Sequence, residues 1–228
     1  MKVGVVVFPG SNCDRDALHG ARLAGAQAEL LWHEDTDLHG ADAVILPGGF
    51  AYGDYLRAGA IARFSPIMGA VREHAARGGL LLGICNGFQV LTEAGLLPGA
   101  LRRNTTLRFE HRWVSLSVER HDTPFSRGIH VGQTLRLPIA HGEGSYYLPD
   151  EELDGLESSG QVLFRYGPPE GNPNGSARGI AGVTDKSGRI CGLMPHPERA
   201  SEALLGSDDG LLLLRSMVES AAQVEAVA

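Results

Sequence analysis

The sequence predicts an α/β fold with a mostly parallel central sheet flanked by helices and with an antiparallel β extension. In the first 95 residues, short apolar runs that suit buried strands alternate with segments of helical periodicity, as in parallel α/β sheets. From about Leu101, β-rich segments separated by turn residues replace that pattern, as in antiparallel sheets. The chain shows no internal repeat and no long linker, so we expect one domain over residues 1–228.

The first half of the chain supplies the predicted parallel strands and their helices. Strands are predicted over residues 2–7, 28–32, 43–46 and 80–84, each of them mainly apolar. Helices are predicted over residues 17–24, 55–64, 66–77 and 88–94. Ser11 or Asn12 is expected to cap the first of these helices, because both side chains can accept a hydrogen bond from the first turn.

The second half supplies the predicted antiparallel extension. β-segments are predicted over residues 113–118, 133–139 and 161–166, followed by a Gly-, Pro- and Asn-rich loop over 168–179. A strand pair over 180–184 and 190–194 surrounds the turn sequence Asp185-Lys186-Ser187-Gly188. A final helix is expected over 210–224.

The composition excludes several classes of protein. The net charge is -7 and the longest basic run is Arg102-Arg103, which argues against nucleic acid as a partner. The apolar runs are too short to cross a membrane, and a strand at the N-terminus leaves no room for a signal peptide. Three separated cysteines without a C-x-x-C pair predict a reducing cytoplasm, no disulfide framework and no metal site.

The segment Gly83-Ile84-Cys85-Asn86-Gly87 carries the strongest indication of chemistry. It has the glycine–x–nucleophile–x–glycine form of a nucleophile elbow, in which a sharp turn joins a buried strand to a helix. Small neighbours permit the turn, and the N–H groups of the new helix favour a thiolate. We therefore predict that Cys85 is a nucleophile, although an isolated cysteine is more often a core residue. Cys13 and Cys191 are interpreted as core or loop residues.

Two segments could supply a base for Cys85. Prolines stiffen His196-Pro197-Glu198, and side chains two positions apart in an extended chain point the same way, so Glu198 can orient His196. In His141-Gly142-Glu143 the central glycine leaves the two side chains free to diverge. We predict a Cys85–His196–Glu198 triad, with His141 and Glu143 in a loop that contacts substrate or a partner.

Pro47-Gly48-Gly49-Phe50 follows another strand of the predicted sheet. The backbone N–H groups of Gly49 and Asn86 are candidates for an oxyanion hole, in which one donor is typically worth about 2.7–4 kcal/mol. Gly48 and Phe50 are candidates for substrate binding. So is Gln89, because it lies one helical turn after Cys85 and therefore on the same helix face.

These motifs together resemble the class I (triad) glutamine amidotransferases, which have a flavodoxin-like core. Longer blocks resemble, within that family, the glutaminase subunits that serve phosphoribosylformylglycinamidine synthase in purine biosynthesis. The blocks are FPGSNCD at 8–14, GGFAYGDYLRAG at 48–59, HGEG at 141–144, NPNGS at 172–176 and HPER at 196–199. The resemblance covers almost the whole chain. Ala51 replaces an expected serine and Ile84 an expected valine, and neither change affects the predicted chemistry.

The resemblance implies that Cys85 attacks the side-chain amide of glutamine and that His196 protonates the departing ammonia. It implies further that the ammonia passes to a large synthetase subunit, that ATP and Mg²⁺ are bound there, and that a small accessory subunit joins the complex. No cofactor is expected in this chain, which has no G-x-x-x-x-G-K-[ST] loop. The alternatives are the same glutaminase serving another synthetase, a cysteine peptidase or hydrolase of similar fold, and a catalytically silent scaffold subunit.

Overall fold

A nine-stranded mixed sheet forms the centre of the molecule. The structure is a computed structural model that describes residues 1–225, with side chains described through residue 222. The eleven strands among these residues are β1 (Lys2–Val7), β2 (Gln27–Trp32), β3 (Ala43–Leu46), β4 (Leu80–Ile84), β5 (Ala100–Arg102), β6 (Glu110–Val118), β7 (Thr134–His141), β8 (Ser145–Tyr147), β9 (Val162–Gly167), β10 (Ile180–Thr184) and β11 (Ile190–Leu193). The α-helices are α1 (Asp14–Leu23), α2 (Ile67–Ala76), α3 (Asn86–Glu93), α4 (Asp150–Ser158) and α5 (Asp209–Glu225).

The order of strands in the large sheet is β2-β1-β3-β4-β11-β10-β9-β6-β7. The first five of these run parallel, and every later pairing is antiparallel. The predicted parallel sheet and antiparallel extension are therefore confirmed, and they form one continuous sheet. A second small sheet pairs β5 with β8.

Burial follows from the composition of the central strands. Every residue of β3, β4, β10 and β11 is buried, which suits apolar runs covered on both faces. Helix α3 packs against β3, β4 and β11, while α1 packs against β2 and α5. These central strands fix the backbone from which the functional residues emerge.

The predicted helix over 55–64 is wrong. Only Ala62–Phe64 forms a short 3₁₀ turn there, and Leu56 and Gly59 have left-handed backbone. The physical reason is close packing on α3, because a Cβ at Gly59 would lie 2.7 Å from the backbone nitrogen of Val90. A regular helix would not allow that approach.

Two further expectations are corrected at helix starts. Helix α1 begins after Cys13 without a side-chain cap: Ser11 Oγ instead accepts from Phe8 N, and Asn12 Oδ1 from Cys13 Sγ, at 3.1 Å each. Helix α4 lies inside the region predicted to be only β-rich. Its first turn carries Asp150 and two glutamates, which favour a helix N-terminus, and its leucines are buried.

The expected last helix is present, and α5 extends through residue 225, where the described part ends. Within residues 1–225, no helix combines the length and the apolar character that crossing a membrane requires.

Candidate active site

The functional segments meet at the carboxyl ends of three neighbouring parallel strands. β3 leads into Pro47, β4 into Cys85, and β11 into the segment that carries His196. The register aligns Ile84 with Leu193, and the Cys85 N–H donates to Leu193 O at 2.8 Å. Open α/β sheets bind ligands at this edge.

Cys85 lies in a strained turn between β4 and α3. Its φ of 50° and ψ of -103° are unusual for a residue with a side chain. A Cβ at Gly87 would lie 1.9 Å from the carbonyl oxygen of Leu46, and one at Gly83 would lie 2.5 Å from Leu91 Cδ1. The two glycines therefore permit the turn that holds the thiol at the start of α3, as predicted for a nucleophile elbow.

His196 and Glu198 form a buried pair. Glu198 Oε1 lies 2.6 Å from His196 Nδ1, and both residues are only 2% exposed. Burial alone lowers the pKa of His196, but the charge of Glu198 and the Cys85 side chain outweigh burial and raise it well above its usual value. His196 Nε2 has no hydrogen-bond partner among residues 1–225 and is free to serve a reacting group.

Cys13 lies beside this pair, which the sequence interpretation as a core or loop residue did not anticipate. Ligand atoms of Cys13, His196 and Glu198 lie within 4.8 Å of one another, so these side chains are able to hold a soft divalent metal ion. Burial raises the pKa of the Cys13 thiol, which keeps it protonated more than an exposed thiol. The sequence feature that could have indicated a place for Cys13 at the site is its position in the FPGSNCD block, one of the blocks that carry the family resemblance.

The two candidate oxyanion donors come from two loops, Asn86 from the turn after β4 and Gly49 from the loop after β3. Asn86 is the first residue of α3, so its N–H has no acceptor within the helix. Gly49, with a φ of 152°, forms an isolated bridge with Ser11. The hydrogen bonds of that bridge use the N–H groups of Asn12 and Phe50, and no residue within 1–225 accepts from the Gly49 N–H.

The Asn86 side chain joins the loops around Cys85. Its Oδ1 accepts from Ala51 N at 3.1 Å, and its Nδ2 donates to Asp54 Oδ1 at 3.2 Å and to Gln89 Oε1 at 2.9 Å. Gln89 Nε2 in turn donates to the backbone carbonyl of Glu143 at 2.6 Å. Both polar atoms of Gln89 are thus already bonded within the protein. Because Ala51 contributes only its N–H, an alanine in place of serine leaves this network intact.

His141 and Glu143 do not pair with each other. His141 Nε2 contacts Asn174 Nδ2 at 3.0 Å, whereas the Glu143 carboxylate lies 3.6 Å from Arg103. Burial, together with the charge of His196, lowers the pKa of His141 to about 3. The imidazole is therefore neutral at ordinary pH and poorly suited to act as a base, which favours His196 in that role.

Cys85 lies between two cavities. One, of about 100 Å³, reaches Cys13 and His196; the other, of about 200 Å³, reaches Asp54, His141 and Glu143. The cavities share Gly49, Phe50, Cys85, Phe109 and Ala140. A small substrate in the larger cavity therefore meets the thiol with His196 on the other side. Neither cavity is lined by Gly48, which packs behind the imidazole.

Comparison with known proteins gives one consistent result. The CobB/CobQ-like glutamine amidotransferase domain matches residues 1–208. The chain is 57% identical to the "Phosphoribosylformylglycinamidine synthase subunit PurQ" of Synechococcus sp. (strain JA-3-3Ab), over 97% of this chain and 98% of that protein. It is 58% identical to the protein of the same name from Rubrobacter xylanophilus, over 97% of this chain and 99% of that protein. In the solved structure of PurLQS from Thermotoga maritima, a chain that is 45% identical superposes with a TM-score of 0.88, over 96% of this chain and 98% of that chain.

Proposed function

Because the chain belongs to the CobB/CobQ-like glutamine amidotransferase family, we propose that Cys85, His196 and Glu198 are the triad with which it hydrolyses glutamine. The chain is the glutaminase subunit that supplies ammonia to the synthetase subunit making formylglycinamidine ribonucleotide in de novo purine biosynthesis. The observation that carries the residue assignment is the 2.6 Å contact between His196 and Glu198 beside the Cys85 elbow.

The first half of the reaction forms a thioester. Cys85 Sγ, as the thiolate left after its proton has passed to His196, attacks the side-chain amide carbon of glutamine. The backbone N–H groups of Gly49 and Asn86 stabilise the negative oxygen of the tetrahedral intermediate. His196 donates its proton to the amide nitrogen as the carbon–nitrogen bond breaks, so ammonia leaves. Glu198 holds the imidazole in position through Nδ1 and stabilises its positive charge.

The second half releases glutamate. His196, now neutral, removes a proton from water, and the resulting hydroxide attacks the thioester carbon. Collapse of the second tetrahedral intermediate breaks the carbon–sulfur bond and returns Cys85 as the thiolate. The cavity of about 200 Å³ beside Cys85 has room for an amino acid, which supports glutamine as the substrate.

The remaining assignments concern the setting of the reaction. ATP and Mg²⁺ bind to the partner synthetase subunit, and a small accessory subunit completes the complex. The chain acts as a single domain over residues 1–228, in the cytoplasm. Phe50 and Gln89 line the cavity and shape it for glutamine, Gln89 through its bonds to Asn86 and Glu143.

The division of labour is tested by Cys85→Ala in the reconstituted complex. The variant should lose glutamine-dependent amidation of formylglycinamide ribonucleotide and keep ammonium-dependent amidation at high pH, where free ammonia is plentiful. Gel filtration on the same preparation checks that the complex forms. Loss of both activities in an intact complex would show that Cys85 takes part in the synthetase step.

The nucleophile itself is tested by covalent capture. Intact-mass analysis after treatment of the wild-type chain with a glutamine-derived chloroketone should show one adduct, located on Cys85 by peptide mapping. Burial raises the pKa of both Cys13 and Cys191, so both should react far more slowly. An adduct on either of them in place of Cys85 contradicts the assignment.

A further inference from the structure

The larger of the two cavities beside Cys85 has an acidic lining. It carries the carboxyl groups of Asp54 and Glu143, and no lysine or arginine lies among the described residues that line it. Phe50 and Phe109 complete the mouth with apolar surface. A cavity with this lining favours a small ligand that carries a positive charge next to an apolar stem.

Strained backbone brings Asp54 to this cavity. Asp54 has a φ of 53°, and Tyr52 and Leu56 are also left-handed, a conformation that residues with side chains rarely adopt. The hydroxyl of Tyr52 anchors the segment by contacting His33 Nδ1 and Ser65 Oγ at 2.8 Å each. Such strain persists where the surroundings enforce it, and it is concentrated at functional sites.

The Asp54 carboxylate lacks a cationic partner among residues 1–225. It accepts a hydrogen bond from the neutral Asn86 amide at 3.2 Å. Burial, and then the negative charge of Glu143, raise the pKa of Asp54 to about 6. The nearest cation to Glu143 is Arg103, 3.6 Å away on a side chain that is 80% exposed, and solvent weakens such a pair. A cation entering between the two carboxylates would relieve their repulsion.

A second unsatisfied group lines the same cavity. The Asn174 amide donates to Gly144 O and accepts from Ser176 N, which fixes Nδ2 as the atom facing His141 Nε2. Nδ2 also lies 3.2 Å from the Tyr166 hydroxyl. A proton on His141 Nε2 would point at this amide donor, so the proton of the neutral ring lies on Nδ1. His141 is 3% exposed, and its Nδ1 has no partner within residues 1–225. A ligand that brings an acceptor as well as an ammonium group would satisfy both features.

We propose that Asp54 and Glu143 bind the α-ammonium group of glutamine and so select a free amino acid over other primary amides. This inference rests on the proposed function, because it places the substrate amide at Cys85. The amino-acid end of glutamine then lies in the acidic cavity, and the short aliphatic stem lies between Phe50 and Phe109. Asp54 and Glu143 would contribute to the affinity for glutamine. His196 and Glu198 would act in the chemical steps.

The test compares glutamine with glutaramate, the same amide without the amino group, as substrates of the reconstituted synthetase complex. Wild type should prefer glutamine. Asp54→Asn and Glu143→Gln, which keep the side-chain shapes, should each reduce the glutamine-to-glutaramate ratio of kcat/KM by about 10-fold or more, because charged hydrogen bonds contribute about 1.5–3 kcal/mol. The change should appear in KM for glutamine, with kcat at saturation within about threefold of wild type.

The matched control is Glu151→Gln, which removes a carboxylate from the exposed first turn of α4. It should leave the ratio unchanged. If both cavity variants form the complex and keep the wild-type ratio, the inference is overturned. If Asp54→Asn fails to form the complex, Glu143→Gln decides alone, since its backbone bond to Gln89 remains. A wild-type complex that releases no glutamate from glutamine would instead contradict the proposed function.

Discussion

Gly48 leaves no room for a side chain beside the imidazole of His196. A Cβ on Gly48 would lie 2.7 Å from His196 Cε1 and 3.0 Å from Cys13 Sγ. The glycine predicted to contact substrate thus acts from behind the base. Together with Cys13 it forms the surface against which the ring of His196 rests.

Gly48→Ala should therefore displace the imidazole. A misplacement of about 1 Å can lower activity about 10²-fold, so we expect kcat for glutamine hydrolysis to fall by about that factor. The matched control is Gly69→Ala in α2, where an added Cβ meets nothing within 4 Å. That variant should keep wild-type kcat and gain up to about 1 kcal/mol of stability from helix propensity. Unchanged kcat in a folded Gly48→Ala variant would show that the position of the His196 imidazole does not depend on a glycine at residue 48.

His196→Ala should lower kcat about 10²–10⁴-fold, because no base remains to transfer protons to ammonia and from water. Glu198→Gln should lower it less, since the base survives with weaker orientation. His141→Ala should act mainly on KM for glutamine, because its ring lines the cavity and is neutral. Single-turnover measurement of thioester formation separates the two histidines. If His141→Ala abolishes thioester formation and His196→Ala does not, the assignment of His196 as the base is wrong.

Zinc ions should inhibit glutamine hydrolysis. Cys13, His196 and Glu198 offer three ligand atoms of the types that Zn²⁺ prefers, and binding there would occupy the base. Inhibition should be reversed by EDTA and should be absent with equal Mg²⁺, which prefers oxygen ligands. Cys13→Ala removes one of the three ligand atoms and should raise the Zn²⁺ concentration for half-inhibition by at least about tenfold, since loss of a residue that only supports a ligand already costs about 10–100-fold in metal affinity. Equal sensitivity of the variant and wild type would exclude this site.

Asp54→Asn should stabilise the unliganded chain at neutral pH. The pKa of Asp54 is raised above its ordinary value of 3.8 to about 6, so the folded state disfavours the charged carboxylate. The resulting destabilisation is full above pH 6 and is relieved as the pH falls through 6 toward 3.8. We expect Tm at pH 7.5 to rise by about 2 °C in the variant, with a smaller rise at pH 4.5. Glu151→Gln serves as the control. Equal increases in the Tm of Asp54→Asn at both pH values would show that the charge of Asp54 does not destabilise the folded chain.

The sequence predicted those parts of the fold that depend on local pattern. The apolar run of β4 and the glycines around Cys85 form the buried strand and the sharp turn that their local pattern predicts. The predicted helix over residues 55–64 was wrong because the apolar spacing there serves packing on α3, which only the folded backbone reveals. The presence of Cys13 and Asp54 at the site was not predicted, for a related reason. Each reaches the site through a partner distant in sequence, Cys13 through His196 and Asp54 through Asn86.

The pairing of β4 with β11 also bears on when activity appears during folding. Ile84 and Leu193 are neighbours in the sheet but far apart in sequence, and contacts of that kind close late because they order a long intervening chain. A partly synthesised chain therefore holds the Cys85 thiol without its base. Refolding monitored by glutamine hydrolysis and by far-UV circular dichroism should show activity lagging behind secondary structure. Ammonia release would then begin only once the chain has been made through His196 and β11, the last parallel strand, has docked.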